Sequence, residues 1–126
     1  MSGGGVIIAR SLWDDPAFQN EPFSEREAWV WMICEASWKP RQKRVGKVIV
    51  DLDRGQLAAS VRFMAEAFLW HRNKADRFLK RLQKCNLIDA QSGTGVNVIT
   101  ICKYDDYQLS PKSFGTEAGQ KRDKRE

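Results

Sequence analysis

An α+β domain is predicted for this 126-residue chain, with a core of three helices closed by a C-terminal β-hairpin. Three observations carry that prediction. A capped, apolar-periodic segment opens at Ser24. Two further amphipathic segments, joined by a tight turn, fill residues 60–86. The run VNVITIC at 96–102 follows the glycine-rich tip Ser92-Gly93-Thr94-Gly95, which reads as strand, tip and strand.

The elements follow in order. Residues 1–5, MSGGG, are expected to be disordered, and VIIA at 6–9 to be a short extended stretch. Asp14-Asp15-Pro16 marks a turn, because proline fixes its own φ and biases Asp15 away from helix. Ser24 and Glu27 form an S-x-x-E capping box, with Phe23 placed as a staple residue. Trp29, Met32, Ile33 and Ala36 then recur at i, i+3, i+4 and i+7, and the helix is expected to end near Trp38, before Pro40. The stretch KPRQKRVGK at 39–47 has five basic residues in nine and is expected to be a loop. Val48-Ile49-Val50 and Gln56-Leu57-Ala58 read as short strands around the turn Asp53-Arg54-Gly55, a hairpin of their own.

Ser60 is an N-cap, and Val61, Met64, Ala65 and Phe68 form the buried stripe of the next helix. Leu69-Trp70 makes the turn. The following helix starts near His71, buries Ala75, Phe78, Leu79 and Leu82, and is C-capped at Asn86. Its other face displays Asn73, Lys74, Arg77, Lys80, Arg81 and Lys84. Leu87-Ile88-Asp89-Ala90 opens the final hairpin, and the polar residues 109–126 are expected to be a mobile tail. The folded part is therefore one domain over residues 6–108, and its order of elements is that of a winged helix-turn-helix.

The charge is unevenly placed. The second helix of the pair carries Arg72, Lys74, Arg77, Lys80, Arg81 and Lys84 against the single acid Asp76, an excess equal to the whole chain's net charge of +5. A cationic helix behind a helix–turn suits a polyanion; a merely solvated basic face is the plain alternative. No apolar run approaches the roughly 20 residues of a membrane helix, and the N-terminus lacks the basic start of a signal peptide. Three widely spaced cysteines, Cys34, Cys85 and Cys102, argue against a disulfide framework and for a reducing, cytoplasmic setting. Trp29 is assigned to the core, Trp31 and Trp38 to half-exposed positions, and Trp70 to a wedge between the paired helices.

Catalysis is not expected. No G-x-x-x-x-G-K motif is present, and one histidine with no paired cysteine spacing makes no zinc site. The doublets Asp14-Asp15 and Asp105-Asp106 place neighbouring carboxylates on opposite faces of an extended chain. No metal, cofactor or small-molecule substrate is expected, and no membrane partner.

The segments DDPAFQNEPFSEREAWVWMICEASWK, DRGQLAASVRFMAEAF, ADRFLKRLQKCNLI and VITICKYDDYQ, in that order, resemble the winged-helix N-terminal domain of phage replication initiators, the DnaD-like or replisome-organizer proteins. The resemblance spans residues 6–108. It implies that the R-G-Q-L segment leads into the first helix of the helix-turn-helix and that the strand ending in Y-D-x-Y-Q closes the wing. It also implies DNA binding in replication initiation. Family members usually carry a second domain for helicase or partner loading. A chain ending at Glu126 is then either a fragment or a short relative that binds DNA and regulates transcription. The usual small polar N-cap of the recognition helix is replaced by Leu69-Trp70-His71.

For a helix in the major groove, side chains of the first turns reach base edges. Asn73 and Arg77 are the first candidates, since Asn pairs bidentately with adenine and Arg with guanine. His71, Arg72 and Lys74 stand beside them. Lys80, Arg81 and Lys84 are assigned to phosphates, and Asp76 to the flank. Auxiliary contacts are expected from Lys43 and Arg44, from Ser92 and Thr94 at the wing tip, and from the tail bases Lys121, Arg122, Lys124 and Arg125. The expected partner is double-stranded DNA, with replication or transcription proteins beside it. A homodimer would pair through residues 6–18 or through the aromatic helix at 24–38. Two other functions stay open: a winged-helix adaptor that binds protein without DNA, and a binder of single strands.

Overall fold

The computed structural model describes residues 6–93 and 96–107. The expected disordered N-terminus, the tail and Thr94 lie outside the described residues. A 3-10 turn spans Arg10–Asp14, followed by α1 (Glu25–Glu35), β1 (Arg41–Val45), β2 (Val48–Leu52), β3 (Gln56–Ala59), α2 (Val61–Phe68), α3 (Arg72–Lys84), β4 (Ile88–Ser92), β5 (Asn97–Ile101) and the single turn α4 (Tyr104–Tyr107). The fold is α+β, with four helices and two small antiparallel sheets among the described residues. It is compatible with a winged-helix arrangement.

The capping box forms as the sequence predicts. The Ser24 amide donates to Glu27 Oε1 at 2.7 Å, and the Glu27 amide donates to Ser24 Oγ at 3.2 Å. The helix ends at Glu35 with Ala36 as its C-cap, short of Trp38. In α2, Ser60 Oγ accepts from the Phe63 amide at 3.0 Å, and Met64, Ala65 and Phe68 are buried. Every residue assigned to the buried stripe of α3, Ala75, Phe78, Leu79 and Leu82, is buried. Leu69 ends α2 in the left-handed conformation, φ 58°. Asn86, φ 64°, stands just beyond the C-cap Cys85, where asparagine tolerates that backbone best after glycine.

Two parts of the sheet arrangement differ from expectation. The basic run at 39–47 is no loop: Arg41–Val45 forms β1 and pairs antiparallel with β2, with Val45 opposite Val48. The two-residue link Gly46-Lys47 begins with Gly46 at φ +61°, the geometry that a glycine-first hairpin turn requires. Consequently β2 does not pair with β3. β3 instead pairs with β5, giving the order β3-β5-β4. Tyr104 to Tyr107, expected to end the last strand, do not extend it either, since the chain leaves β5 and makes the helical turn α4.

Strand alternation explains how both faces of this sheet are covered. Leu57 and Ala59 of β3, with Ile99 and Ile101 of β5, pack into the main core with Met32, Met64, Phe68 and Phe78. Ala58, Val96 and Val98 face the other way and pack against Leu52, Val45 and Val50. The three helices thus cover one face, and the β1–β2 hairpin covers the other.

Gly55 joins these parts. Its amide donates to the Ser37 carbonyl at 2.7 Å, and its own carbonyl accepts from the Ile101 amide at 2.8 Å. Its φ is +85°, and a Cβ there would lie 2.9 Å from Tyr104 Cβ. Gly55→Ala is therefore expected to destabilise the fold by about 2 kcal/mol, read by urea unfolding. A cost under a few tenths of a kcal/mol would show that the Tyr104 backbone yields freely.

Tyr104 is buried, and its hydroxyl lies beside the Arg10 guanidinium. Burial raises its pKa above the ordinary 10.0, against the opposing charges of Arg10 and Arg54 and the hydrogen bond with Arg10. A phenol whose folded pKa is raised stabilises the fold below the unfolded pKa and loses that contribution as pH climbs through the folded value. Tyr104→Phe is expected to change stability at pH 7 by no more than about 1 kcal/mol, because the hydroxyl's contact with Arg10 and the cost of burying it oppose each other. It should also flatten the alkaline limb of a stability-against-pH curve. A loss well beyond that would show that the contact with Arg10 outweighs the cost of burial.

Candidate nucleic-acid interface

Helix α3 is held from three sides. It packs on α2 and β4, and Trp70 wedges beneath it as expected, with ring centroids 5.0 Å from Phe68 and 5.2 Å from Phe78. The Trp70 indole donates to the Phe23 carbonyl at 2.7 Å, which ties the turn before α3 to the start of α1. The helix starts as the sequence suggested but by an unusual cap: His71 Nδ1 accepts from the Asn73 amide at 3.1 Å. His71 thus has a structural part at the N-terminus while its side chain stays exposed.

At 3.6 residues per turn, Asn73, Arg77, Lys80 and Lys84 succeed one another along the side of α3 opposite the buried stripe. All four are exposed. Asp76 stands to one flank, where its carboxylate meets Lys80 Nζ at 3.0 Å. Lys74 lies on the other flank, its ammonium 4.4 Å from the centre of the Trp70 ring. Arg81 turns away toward α1, donating to both carboxylate oxygens of Glu25 at 2.9 and 3.0 Å. Among the described residues no carboxylate pairs with Arg72, Lys74, Arg77 or Lys84.

The auxiliary residues are dispersed. Lys43 is half-buried, and its ammonium donates to Glu35 at 3.2 Å and to the Ala58 carbonyl at 3.3 Å. Arg44 is exposed opposite Ile49 on the outer side of the β1–β2 hairpin, across the sheet from the helices. Neither is brought beside α3. Ser92 is exposed at the end of β4, where the Gly93 amide donates to the Val96 carbonyl at 2.7 Å and closes the tip. The ion pair of Arg81 was not legible in the sequence, because Glu25 lies 56 positions away. The β1–β2 hairpin had a local signal, Val45-Gly46-Lys47-Val48, obscured by the basic residues before it.

No group of three His, Cys, Asp or Glu placed to hold a metal ion occurs among the described residues. No helix among them is long and apolar enough to cross a membrane. The three cysteines are free thiols. Compared with known protein families, with curated proteins and with solved structures, the chain finds no match.

Proposed function

We propose that the chain binds double-stranded DNA through α3 as a winged helix-turn-helix protein, in replication initiation or transcriptional regulation of the phage or mobile-element type. The observation that carries this reading is the exposed row Asn73, Arg77 and Lys84, free of carboxylate partners among the described residues and set on a helix whose opposite side is fully buried. Asn73 and Arg77, in the first turns, take base edges, while Lys84, Lys80 and Arg72 take phosphates. The hairpin β4–β5 is the wing. Residues 6–18, where Val6, Ile7 and Phe18 are exposed, would pair two such helices on adjacent half-sites.

The test is selection of bound duplex from a random pool at physiological salt, followed by affinity measurements across a salt series. A selected motif with log K falling against log salt at a slope of about −3 is expected, as three neutralised phosphates dictate. Equal binding of single strands, or no retention of duplex, would overturn the reading. The pairing of Lys80 with Asp76 and of Arg81 with Glu25 lowers the charge α3 offers and favours the second reading, a protein-binding adaptor. Under that reading a partner is captured as well by a charge-reversed α3 as by the native one.

A further inference from the structure

A second basic site lies at the C-terminal end of α1, and it shares no residue with α3. A cavity of about 300 Å³ there is lined by Arg10, Ser37, Trp38, Lys39 and Arg41, together with the last residues of α1. That volume is at the lower end of small-ligand sites. Glu35 also lines it, but its carboxylate is held by Lys43 at 3.2 Å. Arg54 lies close by, with its guanidinium on Asp105 at 2.7 Å. The cavity is left with an excess of positive charge.

Three details show how these groups are set. Arg10 Nε donates to the Cys34 carbonyl at 2.8 Å, and Arg41 Nε donates to Ser37 Oγ at 2.6 Å. Each guanidinium is therefore anchored through Nε; Arg10 also meets the Tyr104 hydroxyl, and among the described residues no carboxylate takes the remaining donors of either arginine. Ser37 is 2% exposed, a buried polar residue on the cavity wall. Since its oxygen accepts from Arg41, its hydroxyl proton is left to donate elsewhere. Lys39 adds an ammonium, held 5.1 Å from the centre of the Trp38 ring.

Capping the carbonyls at the end of α1 accounts for Arg10. It does not account for Arg41, Lys39 and a buried hydroxyl converging on the same space. Two guanidinium forks, an ammonium and a hydroxyl are all donors, so the complementary ligand is an acceptor with several oxygens and negative charge. A planar carboxylate engages one fork; a tetrahedral oxyanion engages donors from several sides. We propose that this cavity binds a phosphate group, gripped by Arg10 and Arg41 with Ser37 and Lys39 completing the shell.

The test is an NMR titration of the full chain, labelled at arginine Nε, with inorganic phosphate, adenosine 5′-monophosphate, adenosine, acetate, and sodium chloride at matched ionic strength. Saturable shifts of the Arg10 and Arg41 resonances with phosphate and with the monophosphate, but not with the other three, are expected. Equal affinity for the two would assign the site to the phosphate group alone, and tighter binding of the monophosphate would assign it to a phosphorylated nucleoside. Both results support the proposal. Replacing both residues, Arg10→Gln with Arg41→Gln, should weaken phosphate binding at least about tenfold, as loss of charged hydrogen bonds implies, while Arg62→Gln leaves it unchanged. Should the double variant fail to fold, the titration of the unaltered chain decides by itself. Shifts spread over Arg62 and the other exposed arginines, shifts reproduced by chloride or acetate, or no shift at all would overturn the proposal.

Discussion

Reversing Arg77 and Lys84 together to glutamate is expected to lower affinity for duplex DNA by roughly two to three orders of magnitude at physiological salt. Both side chains are exposed on the row opposite the buried stripe of α3. Each reversal removes one cation that would displace a counterion from DNA and adds an anion that repels phosphate. The loss also includes any base contact of Arg77, worth about 1–3 kcal/mol. The fold has little reason to suffer, since no carboxylate pairs with either residue among the described residues. A glutamate at position 84 costs about 0.3–1 kcal/mol at most, through its unfavourable place at a helix C-terminus. Fluorescence anisotropy on a labelled duplex, with a thermal melt of the same variant, separates the two effects. Binding unchanged in a folded double variant would remove α3 from any DNA interface. Arg81→Ala is the informative contrast: with its guanidinium on Glu25, it should alter DNA affinity far less than Arg77→Ala.

Phe68→Ala is expected to cost about 3–5 kcal/mol of folding stability, a large share of the roughly 5–15 kcal/mol that holds a domain together. Phe68 is fully buried at the end of α2. Its ring lies 5.7 Å from Phe23, 5.3 Å from Trp31, 5.0 Å from Trp70 and 6.5 Å from Phe78, centre to centre. One side chain thus joins the segment before α1, α1 itself, the turn and α3. Truncation leaves a cavity lined by rigid rings that collapse poorly, which puts the cost toward the upper end of that range. Urea unfolding followed by circular dichroism reads it directly. Phe68→Leu should recover more than half of the loss, because most of the volume returns. A cost below about 1 kcal/mol would show that the helices pack independently of this ring.

Local physics made much of the fold legible. The capping box at Ser24 and Glu27 needs only residues three apart, and it formed. The apolar stripes of α2 and α3 need only the helical repeat, and Met64, Ala65 and Phe68, then Ala75, Phe78, Leu79 and Leu82, are buried accordingly. The glycine-rich tip between β4 and β5 likewise marked its own hairpin. The errors fall where partners are distant. Gln56-Leu57-Ala58 reads as a strand from its own residues, but the partner of β3, β5, is separated from it by two helices and β4. Arg41–Val45 was hidden because four polar or charged residues read as a loop, whereas the strand is held by β2 and by Val45 and Val50 packing behind the sheet.

The same division runs through the candidate site. From the sequence alone came the basic helix, its buried side, and the exposed face of Asn73, Lys74, Arg77, Lys80, Arg81 and Lys84, because a helix converts spacing into direction without outside help. Only the tertiary structure decided which of those cations remain available. Arg81 is taken up by Glu25, and Lys43 by Glu35, while Arg10 and Arg41, from opposite sides of α1 in the sequence, converge on one cavity. Electrostatic pairing depends on distance in space, and chain closure brings together charges whose separation along the sequence carries no trace of the meeting.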